Sequence, residues 1–489
     1  MDNRFDKLSA EEKRGVLSKP HIIIEAPAGF GKTHTISECV KLLPDNQCQL
    51  ILTHTHAGIA SLQQKMKDNG VPKHKYTIET ITGIAQRIAL SFLLKEPSYS
   101  QDDTKNYFPY IVKTASKLMD SSLIKGLFSC NFNGLFVDEY QDCTADMHEF
   151  IMKFSNLFPI RILGDELQGI FSFRNNSTVK FEQLVDFEKY ELSVPWRWRV
   201  NDNNQKLGNW IIRARELLTN IDSPVRIPFK DYDEYGVKCY GNLTHSEKIE
   251  LAKQLLLEAE KEKKSILILT STFQNANKRA LIKAIIDQKN LISLLEPFDE
   301  QSYYSVTSKI DSIVENKEPE SFNIRELLKE LSFTSKSIDA WFNKGGNVIC
   351  KRQKTPHSTT LPVMMTEMQN SPSYKNIYDF LIYYRFDMKN KCLRLHLFKQ
   401  VVHSLELANH NKITAFEAMT QLKNRERRMG RKADIANIGT TLLTKGLEYD
   451  VVVIANAEEI KDRSNFYVAI SRACKQLHIL SSKDKIFIT

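Results

Sequence analysis

The chain has 489 residues, 42% hydrophobic and 26% charged, which is typical of a globular protein with two or more domains. The net charge of +9 is compatible with a polyanionic partner; no apolar run is long enough to span a membrane, and the polar N-terminus does not resemble a signal peptide. The eight cysteines include no C-x-x-C pair, which predicts reduced thiols in a cytoplasmic protein rather than a disulfide or zinc framework.

The first strong pattern is a short buried strand at 22–24, a loop of small residues and then a helix. Residues 26–33 between them predict a phosphate-binding loop, whose backbone N–H groups would surround phosphate oxygens at a helix N-terminus. Lys32 would reach the β- and γ-phosphates, and Thr33 would bind Mg²⁺. The remaining nucleotide-binding residues of the loop are Ala28, Gly29, Phe30 and Gly31. The alternative for the isolated pattern is a chance glycine turn.

The second strand, residues 49–52, ends in a Thr-His-Thr-His segment. His54 and His56 have a spacing that is compatible with metal binding, but no cysteine or acidic cluster is nearby in sequence. A strand-end loop that contacts a polar partner is therefore favoured. Residues 91–130 show mixed helical patterns and predict a small helical insertion.

Residues 135–137 predict a strand that ends in Asp138 and Glu139. An acidic pair after a strand is usually a solvated turn. Because this pair follows a phosphate loop by about a hundred residues, it predicts the second half of a nucleoside triphosphatase site. Asp138 would hold the Mg²⁺ ion, and Glu139 would polarise the attacking water.

Two tryptophans and two arginines alternate at 196–199, after a strand at 159–163. One interpretation of this cluster is a cation–π patch on the surface. The other is an aromatic ring that stacks on adenine, beside an arginine that binds phosphate.

The second half of the chain predicts another parallel-sheet domain. A polar stretch with prolines near 220–235 places the boundary between domains 1–228 and 229–489. Strand patterns recur at 265–270 and from 435 onwards, and residues 285–425 between them predict a second, mainly helical insertion. The predicted fold class is α/β with two parallel sheets. A basic run at 423–432 is usually a solvated helix face, unless its context indicates nucleic-acid binding.

The order of the motifs resembles that of the UvrD/Rep branch of superfamily 1 helicases. The matching motifs are the loop at 26–33, Asp-Glu-x-Gln-Asp at 138–142, Gly-Asp-x-x-Gln-x-Ile-Phe-x-Phe-Arg at 164–174, aromatic-Arg at 196–197, Lys-Gly-Leu-Glu-Tyr-Asp at 445–450 and Tyr-Val-Ala-x-Ser-Arg-Ala at 467–473. The resemblance implies two RecA-like domains that bind ATP and Mg²⁺ in the cleft between them. It also implies a DNA-dependent ATPase, acting as a helicase or as a 3′-to-5′ single-strand translocase.

The resemblance implies roles for individual residues at the nucleotide. Gln168 would couple the γ-phosphate to bound DNA, and Trp196 would stack on adenine. Arg197 and Arg472 would be arginine fingers that line an open cleft and stabilise charge on the transferred phosphoryl group. The motif at 445–450 adds Gly446 to the nucleotide site and Glu448 to the ribose.

The resemblance also implies contacts to single-stranded or partly duplex DNA. Phe173 would stack on a base. The residues expected along the strand are Thr53, His54, Thr77 and Thr440. Leu52 and Leu442 replace an aromatic residue and a histidine of the family pattern.

Glu12 occupies the place of the family's N-terminal glutamine, which reads adenine. A carboxylate can accept a hydrogen bond from the adenine amino group but cannot donate one to N7, so weak discrimination between ATP and GTP is expected.

The short insertions, residues 138–142 and the Asp-Met-His at 146–148 look similar to the helicase-like subunits of Gabija antiphage defence systems. That resemblance implies an OLD-type nuclease as partner. No segment of this chain resembles a nuclease itself. The alternative function is thus a sensor of nucleotide or DNA ends that activates the nuclease.

Overall fold

The computed structural model of the protein describes residues 10–95, 97–170, 178–200, 204–220, 224–228, 232–270, 285, 292–295, 301–316, 323–349, 355–429 and 435–489. Two compact units are present. One contains both large sheets, and the other contains Tyr99–Tyr107 and Glu296–Glu426.

The first sheet has six parallel strands in the order β3-β2-β4-β5-β1-β6. The strands are β1 (His21–Glu25), β2 (Gln49–Thr53), β3 (Tyr76–Thr80), β4 (Gly134–Val137), β5 (Ile160–Gly164) and β6 (Glu188–Glu191). The central strands β2, β4 and β5 are buried throughout. Their near-continuous apolar sequences are those of strands covered by helices on both faces.

The second large sheet is also parallel, with the order β10-β11-β9-β12-β13-β8. Its strands are β8 (Val237–Tyr240), β9 (Ile266–Leu269), β10 (Ser293–Leu294), β11 (Ala436–Gly439), β12 (Tyr449–Ile454) and β13 (Ala473–Leu480). A separate antiparallel pair joins β7 (Val225–Pro228) to β14 (Lys485–Ile488). The predicted α/β class with two parallel sheets is confirmed.

Helices connect the strands of this unit, and their apolar faces pack on the two sheets. The helices are Ala10–Ser18, Lys32–Leu42, His56–Asp68, Ile81–Phe92, Thr104–Leu118, Ser122–Asn131, Ala145–Met152, Gln205–Thr219, His245–Lys261 and Arg463–Ile470. Leu207 and Ile211 of Gln205–Thr219 belong to the core of the second sheet. The domain boundary predicted at residue 228 stays a prediction, and this helix precedes it.

The second unit is helical, as expected for the longer insertion. Its helices are Gln301–Asn316, Ile324–Glu330, Ser335–Asp339, Pro356–Asn370, Tyr374–Ile382, a π-helical turn at Tyr383–Asp387, Leu395–Asn411 and Ala415–Met429. An aromatic-rich core of its own stabilises it.

Lys423 begins the basic run but is not on a solvated face. It is 3% exposed, its Nζ lies 3.5 Å from the ring centroid of Tyr303, and it forms an ion pair of 2.9 Å with Glu426. Residues 430–432 of the run lie outside the described residues. In the part of the chain that the structure describes, no helix is long and apolar enough to cross a membrane.

His478 on β13 should make the stability of the protein depend on pH. Its ring is 6% exposed and stacks on Tyr240 at an interplanar angle of 12°. Burial, aided by Lys238 and opposed by Glu258, lowers its pKa from 6.5 to about 4. As the pH falls from 6.5 towards 4, the unfolded chain therefore binds a proton that the folded chain does not, and stability is lost.

The substitution His478→Gln is expected to abolish about 1–3 kcal/mol of the decrease in unfolding free energy that acid causes. Melting temperatures measured between about pH 7 and pH 4.5 should therefore fall less in the variant than in the parent. Substitution of the exposed His245 by Gln is the control and should leave the pH dependence unchanged. If the melting temperature of His478→Gln fell with pH as much as that of the parent, His478 would not be responsible for the pH dependence.

Candidate nucleotide-binding site

The phosphate loop follows β1, and helix Lys32–Leu42 begins directly after it. Gly29 and Gly31 have φ angles of 81° and 87°, in the left-handed region that favours glycine. A Cβ at Gly29 would also lie 2.8 Å from the Trp198 ring. Lys32 is 8% exposed and donates a hydrogen bond of 3.1 Å to the Ala26 carbonyl. Backbone N–H groups at a helix N-terminus beside a buried lysine form a site for a phosphate group.

Two carboxylates follow β4, which is separated from β1 by β5 in the sheet. Asp138 is 4% exposed and accepts a bond of 3.0 Å from the backbone N–H of Glu139, whose φ of 56° is left-handed. Burial and the adjacent Glu139 raise the pKa of Asp138. Burial alone would raise the pKa of Glu139 as well, but Lys32 and Lys445 lower it below its usual range. The two lysines therefore favour the ionised form of Glu139 over that of Asp138.

The residues predicted to bind Mg²⁺ offer the oxygen ligands that this ion prefers, a carboxylate on Asp138 and a hydroxyl on Thr33. A buried carboxylate whose pKa is raised gains from a nearby divalent charge, because the ion favours the deprotonated form. The donor set thus fits Mg²⁺ held together with a nucleotide phosphate.

Gln168 connects the two sheets. It lies in a short turn after β5, is 2% exposed and donates a bond of 2.9 Å to Asp165. Its side-chain carbonyl accepts a bond of 3.1 Å from Arg472, which stands directly before β13 of the other sheet. Arg472 also donates to the carbonyls of Val468 and Leu447, at 3.0 and 3.3 Å. Gln168 and Arg472 therefore form a direct side-chain contact between the first and second sheets.

The expectation that both arginines line an open cleft is wrong. Arg472 is 2% exposed, and burial together with Arg197 lowers its pKa to about 10. The Arg197 side chain is 8% exposed; it donates to the Ser471 carbonyl and forms an ion pair of 2.7 Å with Glu448. Both guanidinium groups are already held at the junction of the sheets.

Lys445 is a site residue that the sequence interpretation omitted. It is 2% exposed, donates a bond of 2.6 Å to the Gln168 carbonyl and forms an ion pair with Asp142. Its Nζ lies 3.9 Å from Glu139. The signal was present in the Lys-Gly-Leu-Glu motif, where only Gly446 and Glu448 were assigned to the nucleotide. Lys445 and Lys32 thus approach the two oxygens of Glu139 separately.

Of the two interpretations of the Trp-Arg cluster, the structure contradicts a simple surface patch. Trp198 is 1% exposed and donates a bond of 2.8 Å to the Ala473 carbonyl. Trp196 is partly exposed, and a Cβ at Gly31 would lie 3.2 Å from its ring. Trp196 therefore stands beside the phosphate loop, where a base-stacking ring is needed.

Tyr467 and Arg215 also join the sheets, and the sequence interpretation assigned neither. The Tyr467 hydroxyl accepts a bond of 3.0 Å from the backbone N–H of Ala28 in the phosphate loop. Arg215 forms ion pairs of 3.1 Å with Asp165 and 3.5 Å with Glu25. Tyr467 lies in the recognised Tyr-Val-Ala motif. Arg215 lies on an amphipathic helix in which the sequence analysis recognised no motif.

The residues expected along the DNA strand do not all stand at one edge. Thr53 ends β2, and Thr440 directly follows β11. Thr77 lies near the start of β3, opposite Leu50, and Thr80 instead pairs with Thr53 at the carboxyl end. Phe173 lies outside the described residues.

The pKa of His54 is influenced by Lys445 and Glu139 of the candidate site. Burial is the main cause that lowers the pKa of His54 to about 4, and the positive charge of Lys445 lowers it further. Glu139 and a hydrogen bond with the backbone of Asp142 raise the pKa in part. The ring is therefore neutral near pH 7, so any contact it makes to a phosphate would be a hydrogen bond and not an ion pair.

Two family models match the chain in separate segments. A model described as an AAA domain matches residues 11–174, and a model of the viral superfamily 1 RNA helicase core domain matches residues 350–481. The first segment contains the phosphate loop and the two carboxylates, and the second contains Lys445 and Arg472.

Among curated proteins, the chain is similar to the Gabija protein GajB of Bacillus cereus (strain VD045), with 23% identity over 371 residues. The match covers 73% of this chain and 65% of the relative, so the chain spans less than two thirds of that protein's length.

Among solved structures, the Pif1 helicase from Candida albicans has a TM-score of 0.26 at 14% identity, with 52% of this chain and 55% of that chain covered. A structure of two coordinating Pif1 helicases that unwind forked double-stranded DNA has a TM-score of 0.24 at 12% identity, with 50% and 55% covered. These TM-scores are too low to support an argument.

Proposed function

The chain carries a superfamily 1 helicase core, and from this premise we propose that it is a DNA-stimulated ATPase of the UvrD/Rep type that moves 3′ to 5′ along single-stranded DNA. The observation that supports it best is the contact of Arg472 with Gln168, which links the two sheets beside Glu139. The core predicted from the motif order is confirmed, whereas the branch, the direction of movement and the use of ATP are proposals.

In the proposed reaction, Lys32 and the loop N–H groups bind the β- and γ-phosphates of ATP. Mg²⁺, held by Thr33 and Asp138, would neutralise charge on those phosphates. Glu139, which is ionised, orients the attacking water and accepts its proton. Arg197 and Arg472 donate to the oxygens of the transferred phosphoryl group, where negative charge concentrates.

Coupling to DNA is proposed to pass through Gln168. Phe173 follows Gln168 by five residues in the sequence, so a strand bound by Phe173 would shift the Gln168 side chain. Any such shift acts on Arg472 directly, and on Lys445 through the Gln168 carbonyl. Nucleotide and DNA therefore bias the same hydrogen-bonded element, which is the requirement for energetic coupling between two sites.

Nucleotide choice and partner are further proposals. Trp196 would stack on either purine, and Glu12, whose side chain is outside the described part, would discriminate weakly between ATP and GTP. The similarity to the Gabija protein GajB favours a second function, in which the ATPase senses nucleotide or DNA ends and activates an OLD-type nuclease. In that function the ATP site is the same, and unwinding is incidental.

Phe173→Ala is expected to weaken binding of a single-stranded oligonucleotide by about 1–3 kcal/mol through loss of base stacking. DNA stimulation of ATP turnover should fall more than basal turnover, because the ATP site is unchanged. Fluorescence anisotropy across a salt series measures the affinity, and the parental affinity should fall steeply with salt as counterions are released.

Phe173→Tyr retains the ring and is the matched control. If Phe173→Ala bound DNA like the parent, Phe173 would not be the stacking residue. If the parent itself bound no DNA at low salt, the translocase function would fail, and the nucleotide-sensing function would replace it.

A further inference from the structure

Three aromatic side chains from three elements meet on the helical unit. Trp341 follows helix Ser335–Asp339, His357 begins helix Pro356–Asn370, and Tyr383 lies in the π-helical turn. The ring centroids of Trp341 and His357 are 6.1 Å apart, and those of His357 and Tyr383 are 5.7 Å apart. We call these three residues the aromatic surface.

The rings of the aromatic surface are held in place yet remain accessible. His357 and Tyr383 share a hydrogen bond of 2.7 Å between Nδ1 and the hydroxyl. The interplanar angles are 87° and 71°, so the contacting rings meet edge to face and none stacks flat on its neighbour. All three residues are partly exposed. Trp341 packs partly against the core that buries Phe342, Phe380 and Tyr384 of the same unit, but it is not fully covered.

A short hairpin carries Trp341 and packs on helix Tyr374–Ile382 and on the π-helical turn. Phe342 and Val348 form an antiparallel bridge, and Phe342 packs on Phe380 and Tyr384 at centroid distances of 6.3 and 6.0 Å. Lys344 is exposed at the tip of this hairpin. The hairpin that carries Trp341 is therefore packed on the core of the helical unit through Phe342.

The described segments that carry the aromatic surface are basic. Residues 335–349, 355–357 and 383–394 together contain six lysines and arginines and two acidic residues, both aspartates. Among the described residues, Lys344, Lys389 and Lys391 are exposed. Positive charge around accessible rings is the combination that binds nucleic acid, because lysine and arginine bind phosphates while the rings stack on bases.

We propose that the aromatic surface binds unpaired nucleotides of single-stranded DNA, with bases stacked on Trp341 and Tyr383 and phosphates bound by the surrounding lysines. An unpaired strand is the occupant because a ring can stack only on a base whose face is not covered by a neighbouring base pair. The proposal rests on the proposed function and adds a DNA contact on the helical unit, apart from Phe173.

The test compares two substitutions at one position. Trp341→Leu keeps an apolar side chain but removes the ring, and it is expected to weaken binding of an oligo-dT strand about tenfold. Trp341→Phe keeps a ring and should retain most of the affinity. Turnover of ATP without DNA should equal the parental value in both variants, because the aromatic surface is not part of the ATP site.

Photocrosslinking of the parent protein gives a second measurement that does not depend on the folding of a variant. An oligonucleotide with 5-iododeoxyuridine should crosslink to Trp341 or Tyr383, as located by mass spectrometry of the peptides.

Parental binding by Trp341→Leu, or crosslinks confined to other residues, would overturn the proposal while leaving the ATPase function intact. An effect of Trp341→Leu on duplex DNA alone would overturn the choice of a single strand. If the parent bound no oligonucleotide, the aromatic surface and the translocase function would fail together.

Discussion

Glu139→Gln is expected to lower the turnover of ATP by about 10²–10⁴-fold while nucleotide binding stays near the parental value. An amide cannot accept the proton of the attacking water, and it does not attract the two lysines that now flank the carboxylate. Asp138 would still hold Mg²⁺, so the variant should bind nucleotide and fail to hydrolyse it. Phosphate release measures turnover, and the anisotropy of a fluorescent ATP analogue measures binding.

Glu149→Gln is the matched control for this change. Glu149 is exposed on helix Ala145–Met152, and its carboxylate accepts a hydrogen bond of 3.0 Å from the Ser116 hydroxyl. Its substitution removes one carboxylate from the same domain and should leave turnover unchanged. Parental turnover in Glu139→Gln would show that another group activates the water.

Arg472→Lys should lower ATP turnover by about 10³-fold or more, the loss typical of a missing arginine finger. Lysine keeps the positive charge but cannot donate to Gln168, Val468 and Leu447 together. Because Arg472 is buried, Arg472→Ala would also leave these acceptors unpaired and would destabilise the protein. The lysine variant is therefore the informative one. Turnover and melting temperature should be measured on the same sample.

A double-mutant cycle with Gln168→Ala tests whether the two residues act as a unit. If they do, the combined variant should lose little more DNA stimulation than either single variant, since each alone breaks the contact. A fall in melting temperature without a selective loss of turnover would make Arg472 a structural residue. Additive effects on stimulation would place the coupling elsewhere.

The parallel sheets were predictable because their strands are buried on both faces and read as apolar runs such as 22–24, 135–137 and 451–454. The position of helix Gln205–Thr219 was not predictable. Its amphipathic pattern shows that one face is buried but does not indicate which sheet covers it. Only the packing of Leu207 and Ile211 with the second sheet settles that question.

The candidate site was predictable where a side chain within a sequence motif itself performs the chemistry, as at Lys32 and Glu139. It was not predictable where contacts depend on how the two sheets meet. Lys445 bonds the Gln168 carbonyl, and Tyr467 bonds the backbone of Ala28. A backbone partner leaves no trace in the sequence, so such contacts require the three-dimensional structure.

Steady-state ATP turnover of the purified protein, with and without an oligo-dT strand at low salt, tests the central claim most directly. The variant Lys32→Ala is the inactive control, because it lacks the phosphate-binding lysine. The parent should hydrolyse ATP, and its rate should rise as the oligonucleotide is added. Lys32→Ala should show neither hydrolysis nor stimulation by DNA. Hydrolysis that ignores DNA would contradict the translocase function, and turnover in Lys32→Ala equal to that of the parent would contradict the site itself.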